Sequence, residues 1–183
     1  MEKSEAAALQ EIQNIYTDVS EWLKFAEAKH AGLFAVWTAV LIAVISIDGF
    51  LNKITVIKGV ILSVILMGIL ISLISFLPFL NRFTILKKLC LRKYQNYTGN
   101  SVFYQSVFVD SYSEKGVQDS VDKYSKILEG KGLKLCNSEL EKDYLKQIIE
   151  VSTVGTIKAY LFGIAVTYVF AVLVVFLMAT IIA

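Results

Sequence analysis

The sequence predicts a mainly α-helical membrane protein. Three transmembrane helices are expected, two of them continuous with long cytoplasmic amphipathic stalk helices, beside a small α insert with a minor β part. Composition is the first observation behind this: apolar residues make up 56% of the 183 and charged residues 19%, with a mean hydropathy of +0.61. Ordinary soluble domains are less apolar. Charge segregation is the second. Residues 31–47, 59–80 and 159–183, runs of 17, 22 and 25, contain no Asp, Glu, Lys, Arg or His. The third is periodicity, since apolar residues recur at helical steps in the polar segments before the first run and before the last. Two cysteines are too few for a disulfide scaffold.

Residues 1–30 read as a cytoplasmic amphipathic helix. Leu9, Ile12, Ile15, Tyr16, Val19, Trp22, Leu23 and Ala26 fall at three- and four-residue steps. No Gly or Pro interrupts the chain before Gly32, so one helix can run from near Ser4 to about Ile47, on the order of 65 Å. The lead holds six acids and three lysines; a cleaved signal has a short basic lead, so the first span is expected to be retained. A bilayer crossing needs roughly 20 residues, within about 17–25. Residues 31–47 sit at the short limit, extended by snorkelling of Lys29 and His30. Residues 48–58 read as an external loop and 59–80 as the second span, with a kink expected at Pro78.

Residues 81–158 read as a cytoplasmic sensor segment ending in a stalk helix. Leu86, Leu89 and Lys93 suggest a short basic helix after the second span. Tyr97–Thr98–Gly99–Asn100 reads as a turn, and Val102–Val109, rich in β-branched and aromatic residues, as a short strand or buried turn. A helix is expected over Asp119–Glu129, with Val121, Tyr124 and Leu128 on one face, ended by Gly130–Lys131–Gly132. Ser138 and Glu141 have the spacing of a capping box. The helix they open carries Leu140, Tyr144, Ile148, Val151 and Gly155 on one face and reaches the membrane at Lys158, where 159–183 form the third span. The two stalks are expected to pack stripe to stripe. A helix lying flat on headgroups would want a strongly basic polar face, and the N-terminal helix has more acids than lysines.

Basic residues set the orientation. Arg82, Lys87, Lys88, Arg92 and Lys93 follow the second span with no acid before Asp110, whereas the first loop has only Lys53 and Lys58. The positive-inside rule puts 81–158 and the N-terminus in the cytoplasm and the C-terminus in the periplasm. Both cysteines are then expected as reduced thiols.

The chemistry this composition supplies is narrow. One histidine gives poor material for triads or metal hydrolysis, and two cysteines with His30 do not make a metal site. There is no glycine-rich phosphate loop, and the spans contain none of the charges that pumps use. An enzyme, a resident cofactor and a nucleic-acid partner are not expected. One cluster suits a small ligand: Tyr94, Tyr97, Phe103, Tyr104, Phe108, Tyr112 and Tyr124 lie near the basic run. Nucleobases stack on aromatic rings and phosphate wants cationic donors. Lys88, Arg92, Tyr97, Phe103, Tyr104 and Phe108 are the candidate ligand residues. The competing reading makes the rings a small domain's core and gives the cations to topology and anionic lipid. In the second span Gly68 and Ser72, among Gly59, Ser63 and Ser75, allow close helix approach and point to homo-oligomerisation.

The stretch Trp22-Leu23-Lys24-Phe25-Ala26-Glu27-Ala28-Lys29 resembles the Trp-x-x-x-Ala-(Asp/Glu)-x-Lys signature that opens the first span in the Pycsar effector transmembrane family of bacterial antiphage proteins. Gln147-Ile148-Ile149-Glu150-Val151-Ser152-Thr153-Val154 with Lys158 is similar to that family's second signature, before the last span. Phe103-Tyr104 corresponds to its Phe-Tyr element, and the order of parts agrees over nearly the whole chain. The resemblance implies a multi-pass inner-membrane effector. A partner cyclase makes a cyclic nucleotide during infection, with a cyclic pyrimidine mononucleotide favoured. The effector binds it through its cytoplasmic part and impairs the membrane, ending in abortive infection. Trp22, Glu27, Lys29 and Lys158 mark the stalk–membrane junctions; one reading has them couple ligand to spans, with Glu27 and Lys158 paired, and the competing reading has them anchor the helices by snorkelling. Two alternatives are a ligand-independent structural or partner-binding subunit and a holin-like toxin.

Overall fold

The structure, a computed structural model, describes residues 2–46, 55–74, 76–77, 80–96, 104–136 and 138–182, with side chains at 2–5, 55–58, 81 and 175–182 left aside. Six α-helices lie in these residues: α1 (Glu2–Ser46), α2 (Thr55–Ile74), α3 (Thr84–Tyr94), α4 (Tyr104–Ser111), α5 (Val117–Gly130) and α6 (Glu139–Ile182). A single 3-10 turn, Leu80–Arg82, precedes α3. Thr55–Lys58, expected in the external loop, form the first turn of α2. Pro78 and the expected turn at 97–100 lie outside the described residues. Two compact units are present, one made of Met1–Phe25 and Phe79–Ile157, the other of Ala26–Pro78 and Lys158–Ala183.

The first unit is built on the N-terminal half of α1. Ala8, Ile12, Ile15 and Val19 are buried at steps of four, three and four, the spacing of a helix seam packed against another helix. α6 is the partner: Tyr16 meets Tyr144 edge-to-face with centroids 5.8 Å apart, and Gln13 Nε2 donates to the Tyr144 hydroxyl at 3.4 Å. The capping box is formed. Glu141 N donates to Ser138 Oγ at 3.2 Å, and Glu141 Oε2 accepts from the backbone N–H groups of Ser138 (3.2 Å) and Cys136 (3.0 Å). That reach turns Glu141 inward, at 3% exposure, and sets the phase of the helix. The buried face is Glu141, Leu145, Ile148 and Ser152, while Leu140, expected on that face, is 52% exposed.

Where a short strand or buried turn was the expectation for Val102–Val109, Tyr104–Ser111 is helix α4, and no strand occurs among the described residues. Every side chain from Tyr104 to Phe108 is buried. A helix enclosed on all sides shows no polar face, and so hides its 3.6-residue period. α5 forms as expected, burying Val121, Tyr124 and Leu128. Gly132, at φ +94, lets the chain turn back after it, with Leu133 N bonded to Leu128 O. The middle of α6 holds three buried hydroxyls. Ser152, Thr153 and Thr156 each donate to the carbonyl four residues earlier, at 2.6, 2.7 and 2.8 Å.

The second unit joins α1, α2 and the C-terminal part of α6. Ala26, His30 and Trp37 are its buried α1 positions. Trp37 and Tyr168 rings lie 5.8 Å apart, and the Tyr168 hydroxyl donates to Val64 O at 2.9 Å. A Cβ at Gly68 would overlap the Trp37 indole, so this glycine is required for α1 and α2 to approach. The unit's surface is apolar: Ile42, Val60, Leu66, Met67, Leu70 and Phe170 are all at least half exposed. Lipid, not water, suits such a surface. Two helices are long and apolar enough to cross a membrane, within Ala6–Ser46 and Glu139–Val174, and Gly59–Ile74 is a shorter apolar stretch.

Candidate functional site

Within the first unit, α3, α4, α5 and α6 enclose a cavity of about 120 Å³. The α3 sequence decides which cations reach it. Cys90 and Tyr94 are its buried residues, and Lys87 lies three and seven positions before them, on the same face. Lys87 therefore turns inward and lines the cavity. Lys88 points the other way, pairing with Glu114 at 3.1 Å, with both side chains more than half exposed; the Glu114 hydrogen bond raises Lys88 above the usual lysine range. Arg92 is exposed on the same outer face. Burial lowers the Lys87 ammonium below its usual range, and the charge of Glu150, from α6, works against that shift. Among the described residues, no carboxylate comes within ion-pairing distance of Lys87.

The aromatic candidates divide. Phe108 is fully buried, forms part of the cavity wall, and meets Tyr112 with ring centroids 5.7 Å apart. Tyr104 is buried elsewhere in the unit. Its ring lies 5.9 Å from Trp22 and 3.3 Å from where a Cβ at Gly155 would stand, so it packs α4 onto α6 and does not line the cavity. Tyr97 and Phe103 lie outside the described residues. Tyr124 is a core residue whose phenol burial pushes upward.

Sequence reasoning counted Lys87 in the basic run but not among the ligand candidates, and it passed over Ser111, Ser120 and Glu150. The signal for Lys87 was present, in its spacing to Cys90 and Tyr94. Ser111 carries no such signal, because the segment leading into it reads as a strand or buried turn in sequence; Ser120 lies on the expected helix α5, next to its buried Val121.

Within the second unit, the junction residues meet. Lys158 Nζ lies 2.5 Å from Glu27 Oε1, with the lysine side chain 6% exposed and the glutamate 45%. The Lys158 carbonyl is 2.9 Å from His30 Nε2. A carbonyl only accepts, so Nε2 carries the hydrogen, and Nδ1 is left buried without a partner. The His30 ring also packs edge-on to Phe162 at 5.5 Å, and Lys29 Nζ sits 5.7 Å from the centre of that ring. Trp22 belongs to the first unit, 41% exposed beside Phe25. Gly68 and Ser72, the expected helix-association pair, are both buried within the chain. Gly68 receives Trp37, and Ser72 is fully buried with its hydroxyl on Gly68 O.

No curated protein and no solved structure matches the chain. A family model described as PycTM, Pycsar effector protein domain, matches residues 11–183. That match takes in both apolar helices, the cavity and the Glu27–Lys158 pair, and with them it supports a membrane protein of antiphage defence. The chain belongs to the Pycsar effector family.

Proposed function

We propose that this protein is an inner-membrane effector that binds a cyclic nucleotide through its first unit and then rearranges or oligomerises to impair the bilayer. The family match over residues 11–183 carries the reading, since membership implies an antiphage effector activated by a cyclic nucleotide. α2 is read as a third crossing: 20 residues of helix span about 30 Å, the thickness of a hydrocarbon core. The five basic residues from Arg82 to Lys93 keep the first unit in the cytoplasm, where a cyclase product can reach it. The cyclase supplies the ligand, and a cyclic pyrimidine mononucleotide is the first candidate. The Glu27–Lys158 pair supports a coupling role for the junction, because it ties α1 to α6 where the apolar segments begin.

Calorimetry of detergent-solubilised protein with a panel of cyclic mono- and oligonucleotides tests the binding step. Dye release from vesicles carrying the protein tests the consequence. Saturable binding of one ligand, with leakage only when that ligand is present, is the expected result. Leakage without any nucleotide would identify a holin-like toxin, and neither binding nor leakage would identify a structural subunit.

A further inference from the structure

We infer that the cavity among α3, α4, α5 and α6 is a phosphate-binding subsite, with Lys87 as its cation and Ser111 and the N-terminus of α5 as its neutral donors. This rests on the nucleotide reading above and says which end of the ligand enters the protein.

The Ser111 hydroxyl is the most direct sign. The residue has no exposure to bulk solvent, lines the cavity, and its Oγ has no hydrogen-bond partner. A buried hydroxyl left unsatisfied costs free energy, and native structures rarely keep one without reason. A ligand oxygen in the cavity would satisfy it. α5 supplies the second element. It has 14 residues, begins after Gly116 at φ +126, and carries no side-chain cap. Gly116 and Val117 line the cavity, so the uncapped amide end of a four-turn helix opens on it, the end at which anions are favoured. Asp119, the acid of that first turn, is held by the Ser113 hydroxyl and is lowered by it; it is not part of the lining.

Lys87 completes the donor set with an ammonium that, among the described residues, no carboxylate meets at ion-pairing distance. An anion bound beside it would relieve the burial that lowers its ammonium. Glu150 is the one carboxylate in the lining among the described residues. It repels a phosphate placed against it, and accepts from any hydroxyl or amino donor on the same ligand. Anion donors with one acceptor beside them suit a phosphate ester that carries its own hydroxyl, and accept inorganic phosphate through the anion donors alone. The volume, about 120 Å³, has room for a phosphate group, since about 10–15 Å³ on this measure already holds a water.

The test uses full-length protein in detergent with two sets of probes, inorganic phosphate and the cyclic nucleotide panel. The variants are Lys87→Gln, Lys87→Arg and Ser111→Ala, with Lys88→Gln as an outer-face control and thermal unfolding to check folding. Lys87→Gln is expected to weaken nucleotide binding on the order of tenfold or more and Ser111→Ala by about threefold or more. Lys87→Arg should retain most affinity, and Lys88→Gln should change it by less than about twofold. Nucleotide binding that ignores both Lys87→Gln and Ser111→Ala overturns the subsite and leaves the functional reading standing. Lys87-dependent phosphate binding without any nucleotide binding keeps the subsite and removes the reading. Binding of neither probe removes both.

Discussion

The side chain of Lys158 pairs with Glu27 while its backbone carbonyl takes the His30 N–H, so one residue of α6 is held twice by one turn of α1. The lysine is almost fully enclosed and the glutamate is half open. Removing the glutamate therefore strands a charge that water barely reaches. Glu27→Gln is expected to destabilise the protein by about 1–3 kcal/mol, below the cost for a fully buried pair because one partner is exposed. Thermal unfolding in detergent measures this. A Glu27→Lys, Lys158→Glu double exchange should recover part of the loss of each single change; no recovery would show that the pair is not what these residues contribute.

Gly68 predicts a steric effect of similar size. Any Cβ there overlaps the indole of Trp37, itself buried and 5.8 Å from the Tyr168 ring. Gly68→Ala should cost about 1–3 kcal/mol as overpacking, and adding Trp37→Leu should return part of it. A stable Gly68→Ala variant would mean that the two helices do not approach as described.

The thiols should differ sharply. Burial pushes Cys90 up to about 12, from 9.0, whereas Cys136 is exposed. Maleimide at pH 7.5 should modify Cys136 and spare Cys90 until the protein is unfolded, because the thiolate is the reactive form. The raised folded value also fixes a sign. The thiol contributes stability that is intact below about pH 9 and is lost as the pH rises toward about 12. Equal labelling of both cysteines in folded protein would contradict the buried position of α3.

Anion binding should carry a pH dependence set by Lys87. Its folded-state value lies below the ordinary 10.5, so the free protein begins to lose that proton at lower pH than an exposed lysine would. A bound anion favours the charged form. Affinity for the activating nucleotide should therefore fall as pH rises toward 10.5, and Lys87→Arg should flatten the profile, since a guanidinium stays charged throughout. Calorimetry at several pH values measures the slope.

Much of the helical frame was legible in the sequence. The seam of α1, the Ser138–Glu141 cap and the inward face of α5 are local patterns, set by residues a few positions apart. What escaped was phase and enclosure. On α6, Ile148 and Gly155 are buried and Tyr144 packs on α1 as expected, while Leu140 faces out because Glu141, an acid, turns inward to serve two backbone N–H groups; a hydropathy pattern assigns such a residue to solvent. α4 was misread because all of Tyr104–Phe108 is buried. The cavity depends on tertiary placement of Ser111 and Glu150, which lie far apart in the chain. Only Lys87 could have been anticipated, from its register with Cys90 and Tyr94.

The row of hydroxyls at Ser152, Thr153 and Thr156 bears on how α6 carries strain. Each claims a carbonyl that already serves an amide of the helix, and back-bonding of this kind weakens and bends helices locally. Three such bonds within five residues just ahead of Lys158, with a fourth at Thr167, make that short segment of the 44-residue helix the stretch where a bending moment is expected to flex it first.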